Sequence, residues 1–224
     1  MALHYHTVTP LLRKTLEQLM SEPLFTPFRL VGGTNLSLRF GHRMSDDIDL
    51  FSDAEYRSLY FPGFEEYLHR EFAYCDCTDK GSIVGFGRTY YVGDSASESV
   101  KLDLMYTDLF LSAPDEIDGL RMASVEDLAA MKLNVVSRGG RKKDFWDLHY
   151  LLTTCYGLDE LLSFHARRYP WEHDESSLVQ RLRDFSIADQ MPDPRCLTGN
   201  TWEDIKLDFI EWTEDRQANG RKSD

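Results

Sequence analysis

The segment DDIDL, residues 46–50, constrains the fold of this chain more than any other segment. Successive side chains of a β-strand point to opposite faces, so Asp47 and Asp49 share one face while Ile48 and Leu50 share the other. The apolar face indicates a strand that packs on a core. Two carboxylates on the opposite face repel each other unless a cation lies between them, and Mg²⁺ prefers such oxygen ligands. The segment therefore predicts a buried strand that carries a magnesium site.

A second strand with the same alternation is predicted at SVKLDLMY, residues 99–106. Lys101 and Asp103 share one face of it, and Leu102 and Leu104 point the other way. If this strand lies beside the first, Asp103 becomes a third metal ligand. The alternative is that Asp103 pairs with Lys101 on the surface.

A glycine pair, Gly32-Gly33, follows a predicted strand at 28–31 and precedes a predicted short helix at 34–40 that Gly41 closes. Glycines at such a junction let backbone N–H groups approach a phosphate closely. The candidate nucleotide-binding residues are Gly32, Gly33, Thr34, Arg43, Ser45 and Lys101. Gly-Gly alone is usually a turn, D-x-D alone is common at solvated strand ends, and Arg43 has the alternative of pairing with Asp46.

The composition is that of an ordinary globular protein, and its charge restricts the partners. The chain has 224 residues, 42% hydrophobic, with a formal net charge of -13. Such a balance argues against a protein that coats nucleic acid non-specifically, although a local basic patch stays compatible with it. The N-terminus MALHYHTVTP has no signal-peptide pattern, and no apolar run is long enough to span a membrane. We therefore expect a cytoplasmic protein.

The remaining pattern predicts an α+β fold. Thr9-Pro10 predicts a helix start, since Thr caps and Pro suits the first helical position. Residues 82–92 have strand character and residues after Gly63 are helical. Five further helices are predicted near residues 124–137, 141–154, 158–168, 176–188 and 201–217. We expect a small mixed sheet with helices in residues 1–122 and a helical part in residues 123–224.

Two charges fall on apolar helical faces of the second part. At about 100° per residue, Lys132 lies among Leu128, Val135 and Val136, while Asp127 and Ala130 face outwards. In the next helix Asp144 lies on the apolar side and Asp147 at its edge. One interpretation is a structural Lys132–Asp144 ion pair between the helices. The other places Lys132 against nucleotide phosphates, with Asp144 orienting it or activating an acceptor hydroxyl.

The segment KLNVVSRGGRKK, residues 132–143, carries five basic residues and no acidic one. A solvated helix turn explains it, and so does a docking site for the phosphates of a substrate such as RNA.

Three of these segments resemble motifs of the AbiEii/AbiGii toxin-type nucleotidyltransferase family. GGTNLSLRFGHRMSDDIDLF resembles its first motif, KLDL (101–104) its second, and KLNVVSRGGRKKDFWDL (132–148) its third. The resemblance implies a nucleotidyltransferase fold of the DNA polymerase β type with a helical C-terminal part. It implies metal binding at Asp47 and Asp49, and motif roles for Lys132 and Asp144. Asn35 departs from the small residue usual after G-G-T.

The expected function is therefore magnesium-dependent nucleotidyl transfer, with manganese as a substitute metal, catalysed by Asp47, Asp49, Lys132 and Asp144. Asp103 joins Asp47 and Asp49 as a metal ligand. The resemblance implies a toxin of a toxin–antitoxin or phage-defence system that uses an NTP, an acceptor such as tRNA and a cognate antitoxin. The alternatives are a nucleotidyltransferase for small molecules such as antibiotics, and a non-catalytic nucleotide-binding partner protein.

Overall fold

The computed structural model describes residues 2–78 and 85–220, and the chain divides into two compact units, Met1–Ser124 and Val125–Asp224. The first unit is a mixed sheet with helices. Its helices are α1 (Pro10–Ser21), α2 (Gly32–Phe40) and α3 (Phe61–Glu71). Its strands are β1 (Arg29–Leu30), β2 (Asp47–Ser52), β3 (Tyr74–Cys77), β4 (Gly87–Ser95), β5 (Glu98–Tyr106), β6 (Asp115–Ile117) and β7 (Leu120–Met122).

The described strands form one sheet in the order β3-β4-β5-β2-β1-β7-β6. β2 is central, parallel to β5 on one side and antiparallel to β1 on the other. β1 in turn pairs in parallel with β7. The two strands that carry the predicted carboxylates are therefore direct neighbours, as the metal-site prediction required.

The core of the first unit forms on the faces that the sequence predicted to be apolar. Ile48 and Leu50 are fully buried on one face of β2. Thr9 caps α1 by accepting a hydrogen bond from the Leu12 backbone N–H at 3.1 Å. That helix buries Leu12 and Leu16 in the same core. The predicted helix start at Thr9-Pro10 and the predicted strands at DDIDL and at 99–106 are confirmed.

Several boundaries differ from the prediction. α2 begins at Gly32, so the glycine pair lies inside its first turn instead of preceding it. α3 begins at Phe61 because Pro62 suits the first turn, where an N–H group is not needed. The strands β3, β6 and β7 were not predicted, since three or four residues are too few to show an alternating pattern. Of the predicted strand at 82–92, residues 82–84 lie outside the described residues.

The second unit is helical where the structure describes it. Its helices are α4 (Val125–Ser137), α5 (Lys142–Thr154), α6 (Leu158–Arg168), α7 (Glu175–Arg181) and α8 (Trp202–Gly220). α7 is shorter than the predicted helix at 176–188. The Asp184 carboxylate accepts hydrogen bonds from the Ser186 backbone N–H and hydroxyl at 3.2 and 2.6 Å. Such local bonding competes with continued helix formation.

α4 packs against α5, α6 and α7, which changes the predicted exposure of its side chains. Asp127 and Ala130, predicted to face solvent, are fully buried, whereas Val135, predicted to be apolar core, is 43% exposed. Asp127 pairs with Arg168 of α6 at 2.7 Å. The helix therefore has two buried sides, and the ion pair satisfies the carboxylate on one of them.

Within the described part of the chain, no helix combines the length and the apolar character needed to cross a membrane.

Candidate active site

The predicted carboxylates lie on one face of two neighbouring strands. In the parallel register of β2 and β5, Asp47 lies opposite Lys101 and Asp49 lies opposite Asp103. Asp47 and Asp49 are half-buried, while Ile48 between them is fully buried on the opposite face. One patch of the sheet therefore carries three carboxylates and one ammonium group.

Asp103 is held by two neighbours. Its Oδ1 accepts a hydrogen bond from the Thr89 hydroxyl at 2.6 Å, and its Oδ2 lies 2.5 Å from Lys101 Nζ. Thr89 lies on β4, directly opposite Asp103. The predicted alternative of a Lys101–Asp103 pair is thus present. Thr89 was not predicted as a site residue, because only the β4–β5 register brings it to Asp103.

Lys101 is one cation that the clustered aspartates attract in this structure. Burial works to lower the pKa of Lys101, but the hydrogen bond and charge of Asp103, with the charges of Asp49 and Asp47, raise it above its ordinary value. The ammonium group therefore stays charged and offsets part of the carboxylate repulsion.

The chemistry of the donor set fits a hard divalent cation. Asp47 and Asp49 present carboxylate oxygens on one face, and such oxygens suit Mg²⁺ or Mn²⁺. Among residues 2–78 and 85–220, no group of three or more His, Cys, Asp or Glu side chains is arranged as a metal site. Asp103, engaged by Thr89 and Lys101, stays a predicted third ligand.

Gly32 lies against the Asp49 carboxylate at the start of α2. A Cβ at position 32 would lie 2.2 Å from Asp49 Oδ2, and Gly32 has a left-handed backbone with φ of +69°. A side chain there would be strained and would displace the carboxylate. The carboxylate also lies near the positive end of the α2 dipole, which stabilises its charge. Gly32 therefore sets the position of the Asp49 carboxylate, and together with Gly33 it forms the first turn of α2.

The hydroxyls of Thr34 and Ser45 form hydrogen bonds within the protein. Their Oγ atoms are 2.8 Å apart, and the Thr34 hydroxyl also donates to the Asp47 backbone carbonyl. Both side chains are buried. Arg43 is 2% exposed and donates to the Met44 carbonyl at 2.8 Å. In this structure Thr34 and Ser45 position the start of β2.

Asn35 has a structural role that the sequence did not reveal. Its side-chain amide donates to the Leu30 carbonyl at 2.7 Å and to the Ala123 carbonyl at 3.1 Å. Its Oδ1 accepts from Arg39 Nε at 2.7 Å. The departure from the small residue usual at this position therefore ties α2 to the ends of β1 and β7.

The second unit contains a buried cluster of one lysine and two aspartates. Lys132 Nζ lies 2.6 Å from Asp144 Oδ1 and 2.7 Å from Asp147 Oδ2. The lysine side chain is 8% exposed and the aspartate side chains 1% and 0%. Asp147, predicted at the edge of the helix face, is therefore a full member of the cluster, because α5 is buried on more than one side.

Arg141 supplies a second positive charge to this cluster. Its backbone N–H and its Nε each lie 3.1 Å from Asp144 Oδ2. Burial works to raise the pKa of Asp144, yet the charges of Lys132 and Arg141 and the Lys132 hydrogen bond hold it below its ordinary value. Asp144 is therefore a stable anion that fixes the Lys132 ammonium.

The predicted basic segment contributes both to ion pairs and to the surface. Lys142 is nearly buried and pairs with Asp193 at 2.8 Å. Arg138 and Arg141 are 61% and 54% exposed. Arg138 pairs with Glu172.

Comparison with known proteins identifies the family. Residues 14–218 match the family described as the nucleotidyl transferase AbiEii toxin of type IV toxin–antitoxin systems. The chain belongs to the AbiEii family. The predicted resemblance is confirmed, and so is the assignment of the chain as a nucleotidyltransferase.

Relatives of this AbiEii-family chain extend over most of its length. An uncharacterised protein of Aquifex aeolicus (strain VF5) is 32% identical over 183 residues, which is 79% of this chain and 82% of that protein.

Solved structures share the fold. The nucleotidyltransferase toxin MenT4 of Mycobacterium tuberculosis H37Rv has a TM-score of 0.57 at 13% identity, over 91% of this chain and 82% of that chain. A Helicobacter pylori protein assigned to the nucleotidyltransferases has a TM-score of 0.51 at 20% identity, over 94% and 96%. The predicted α+β nucleotidyltransferase fold with a helical C-terminal part is confirmed.

Proposed function

We propose that this AbiEii-family protein transfers an NMP group from an NTP to an RNA acceptor, tRNA first, in a magnesium-dependent reaction in the cytoplasm. Manganese would replace magnesium. The transfer would make it the toxin of a toxin–antitoxin or phage-defence system, restrained by a cognate antitoxin. The observation that carries the proposal is the paired face of β2 and β5, where Asp49 lies opposite Asp103 and against Gly32.

In the first unit, residues 1–122 would form the nucleotidyltransferase core. Asp47 and Asp49 would hold Mg²⁺, with Asp103 as third ligand. The metal, when bound, would stabilise charge on the triphosphate and favour ionisation of the acceptor hydroxyl. The N-terminal turn of α2, with Gly32 and Gly33, would orient the phosphates. The hydroxyl oxygen, whose proton would pass to solvent, would bond to the α-phosphorus while the bond to the β-phosphate bridging oxygen breaks and pyrophosphate leaves.

In the second unit, residues 123–224 would supply Lys132 to complete the active site. Its ammonium would neutralise charge that develops on the phosphates. Asp144 is a positioning residue in this proposal, because its lowered pKa makes it a weak proton acceptor at neutral pH. Lys101 and Arg43 would contact the nucleotide once it is bound, and Thr34 and Ser45 would support the strand below it.

The first test is incubation of the purified protein with each α-labelled NTP, Mg²⁺ or Mn²⁺, and total tRNA. We expect label in RNA from the wild type and from Asp94→Asn, a control aspartate on an exposed part of β4. We expect none from Asp49→Asn, with unfolding by urea unchanged within about 1 kcal/mol. Retained transfer by Asp49→Asn would overturn the metal assignment.

Two other outcomes would redirect the proposal. Transfer of label only to a small hydroxyl compound would indicate a small-molecule nucleotidyltransferase. NTP binding without transfer to any acceptor would indicate a nucleotide-binding partner protein.

A further inference from the structure

Trp171 has the most exposed large apolar side chain in the described part of the chain, at 97%. It occupies the tip of the turn Tyr169-Pro170-Trp171-Glu172, which we call the Trp turn. The Glu172 backbone N–H donates to the Tyr169 carbonyl at 3.1 Å and closes the turn. Proline at its second position pre-sets the backbone. A single exposed apolar side chain is common on protein surfaces, so the case for a ligand rests on what surrounds the ring.

The Trp turn is held firmly on its N-terminal side. The Tyr169 hydroxyl accepts a hydrogen bond from Arg168 Nε at 3.1 Å, and its ring packs on His165 with centroids 5.1 Å apart. Arg168 is itself fixed by the fully buried Asp127.

The C-terminal side of the turn is held equally. His173 Nδ1 lies 3.1 Å from His165 Nδ1, and Glu172 pairs with Arg138. The backbone that carries the exposed Trp171 ring is therefore already ordered. A ligand that binds the ring would cost little backbone entropy.

The ion pair from Glu172 places the Trp turn beside the basic segment 138–143. Arg138 and Arg141 of that segment are more than half exposed. Arg167, which lies in the last turn of α6 just before the Trp turn, is 52% exposed and forms a long surface ion pair with Glu126 at 3.7 Å. Exposed cations beside an exposed aromatic ring are the combination that binds single-stranded nucleic acid, since the cations meet phosphates and the ring stacks on a base.

The acidic residues that follow Trp171 are engaged with positive partners. Glu172 pairs with Arg138, and Asp174 caps α7 by accepting from the Ser177 N–H at 3.1 Å. Glu175 pairs with Arg216 at 2.8 Å. The Arg138–Glu172 pair is exposed to solvent and therefore weak, so a phosphate that binds Arg138 would replace Glu172 as its partner.

We propose that Trp171 is a stacking platform for an unpaired base of the RNA acceptor, with the adjoining phosphates on the basic segment 138–143. The inference rests on the proposed function and names the acceptor as RNA with an unpaired stretch. A protein interface is the weaker alternative. The exposed neighbours of Trp171 are charged or polar, whereas an interface core is apolar and depleted in charge.

The test measures binding of a fluorescein-labelled, unstructured 12-nucleotide RNA by anisotropy, without NTP or transfer. We expect Trp171→Ala to weaken RNA binding about tenfold and Trp171→Phe, which keeps a ring, by less than about threefold. Leu207→Ala is the control, since Leu207 is a 63% exposed apolar residue of the same unit. It should bind RNA like the wild type.

The intrinsic fluorescence supplies a second readout. Trp146 and Trp202 are 2% and 7% exposed and Trp212 is half-buried, so the most red-shifted emission comes from Trp171. RNA that stacks on Trp171 should quench the emission that the wild type has and Trp171→Phe lacks. Wild-type affinity in Trp171→Ala, or no quenching, would overturn the inference. A change of the Trp171→Ala protein from oligomer to monomer, with RNA binding intact, would assign the surface to a second copy instead.

The proposed function has its own, separate failure. Loss of NMP transfer in every acceptor assay would defeat it, whatever the RNA affinity. Intact transfer to RNA by the wild type, combined with unchanged affinity in Trp171→Ala, would defeat the stacking role alone.

Discussion

The missing side chain of Gly32 makes room for the carboxylate of Asp49. A Cβ at residue 32 would lie 2.2 Å from Asp49 Oδ2 and 3.1 Å from its Cγ. A glycine that the sequence associates with phosphates therefore also sets the position of a proposed metal ligand.

Substitution of Gly32 by alanine should slow transfer strongly. Gly119 is a matched control, because it has a φ of +79° and a Cβ added there would meet no atom within 4 Å, so its replacement introduces strain without a clash. We expect Gly32→Ala and Gly119→Ala each to lower the free energy of unfolding by about 1–2 kcal/mol. Only Gly32→Ala should lose about 100-fold in transfer rate, since its carboxylate is displaced. Equal rates in the two variants would contradict this role of Gly32.

The predictions from sequence succeeded where apolar and polar side chains alternate regularly along a strand. The alternation in β2 and β5 placed Ile48 and Leu50 in the core and the aspartates on the other face. The pairing of the two strands stayed conditional, because alternation specifies the faces of a strand and not its neighbour.

Contacts that depend on strand register, or on the packing of elements distant in sequence, were not predictable. Thr89 meets Asp103 only through the β4–β5 register, and Asn35 meets Ala123 only because β1 pairs with β7. A helical wheel gives one buried face, so it placed Asp127 outside although α4 is covered on two sides. Roles of the site residues stay predictions.

Thr89 should support turnover through Asp103. Thr89→Val removes the hydrogen bond to Asp103 Oδ1 and keeps a side chain suited to a strand. We expect a roughly tenfold lower transfer rate with a stability change of about 1 kcal/mol, and recovery in Thr89→Ser. Steady-state kinetics and urea unfolding measure the two effects. A Thr89→Ser variant as slow as Thr89→Val would show that packing, not the hydroxyl, matters.

Lys132 should be important for stability as well as for transfer. Lys132→Met leaves Asp144 and Asp147 buried without the ammonium that pairs with them. Breaking a buried ion pair costs about 3–5 kcal/mol, so we expect a large fall in unfolding free energy. The triple variant Lys132→Met, Asp144→Asn, Asp147→Asn should recover part of that loss but remain inactive.

Arg168→Met gives the matched control for that experiment, since the Asp127–Arg168 pair is equally buried. It should lose comparable stability and, at saturating RNA and at temperatures where it is folded, keep its turnover. A stable triple variant that still transfers NMP would show that Lys132 is structural only.

The anionic state of Asp144 gives one direction of pH dependence. Its pKa is lower in the folded than in the unfolded chain, so the carboxylate stabilises the fold above its unfolded pKa. That contribution is lost as pH falls below about 4 towards the folded pKa. Urea unfolding of the wild type should show a fall in stability in this range that Asp144→Asn lacks. An equal fall in both proteins would contradict the assignment.

His165 should produce a separate effect at higher pH. Burial is the main cause that lowers the pKa of His165 to about 4. The charges of His173 and Arg138 lower it further, and the charge of Glu172 opposes them. The fold therefore favours the neutral ring, and stability falls as pH drops from about 6.5 towards 4. The full shift corresponds to about 3 kcal/mol, and with solvent screening we expect about half of that. His165→Leu should flatten this slope, and an unchanged slope would exclude His165 as its source.

The pairing of β1 with β7 determines when the first unit can be finished during synthesis. Leu30 meets Met122, and the Asn35 amide meets the Ala123 carbonyl, across about ninety intervening residues. Asp47 and Asp49 leave the ribosome early, yet β1 has no β7 to pair with until residue 123 has followed. A nascent chain shorter than this holds the proposed catalytic carboxylates without the finished framework around them. We therefore expect a nascent chain to lack transferase activity until residue 123 has been added.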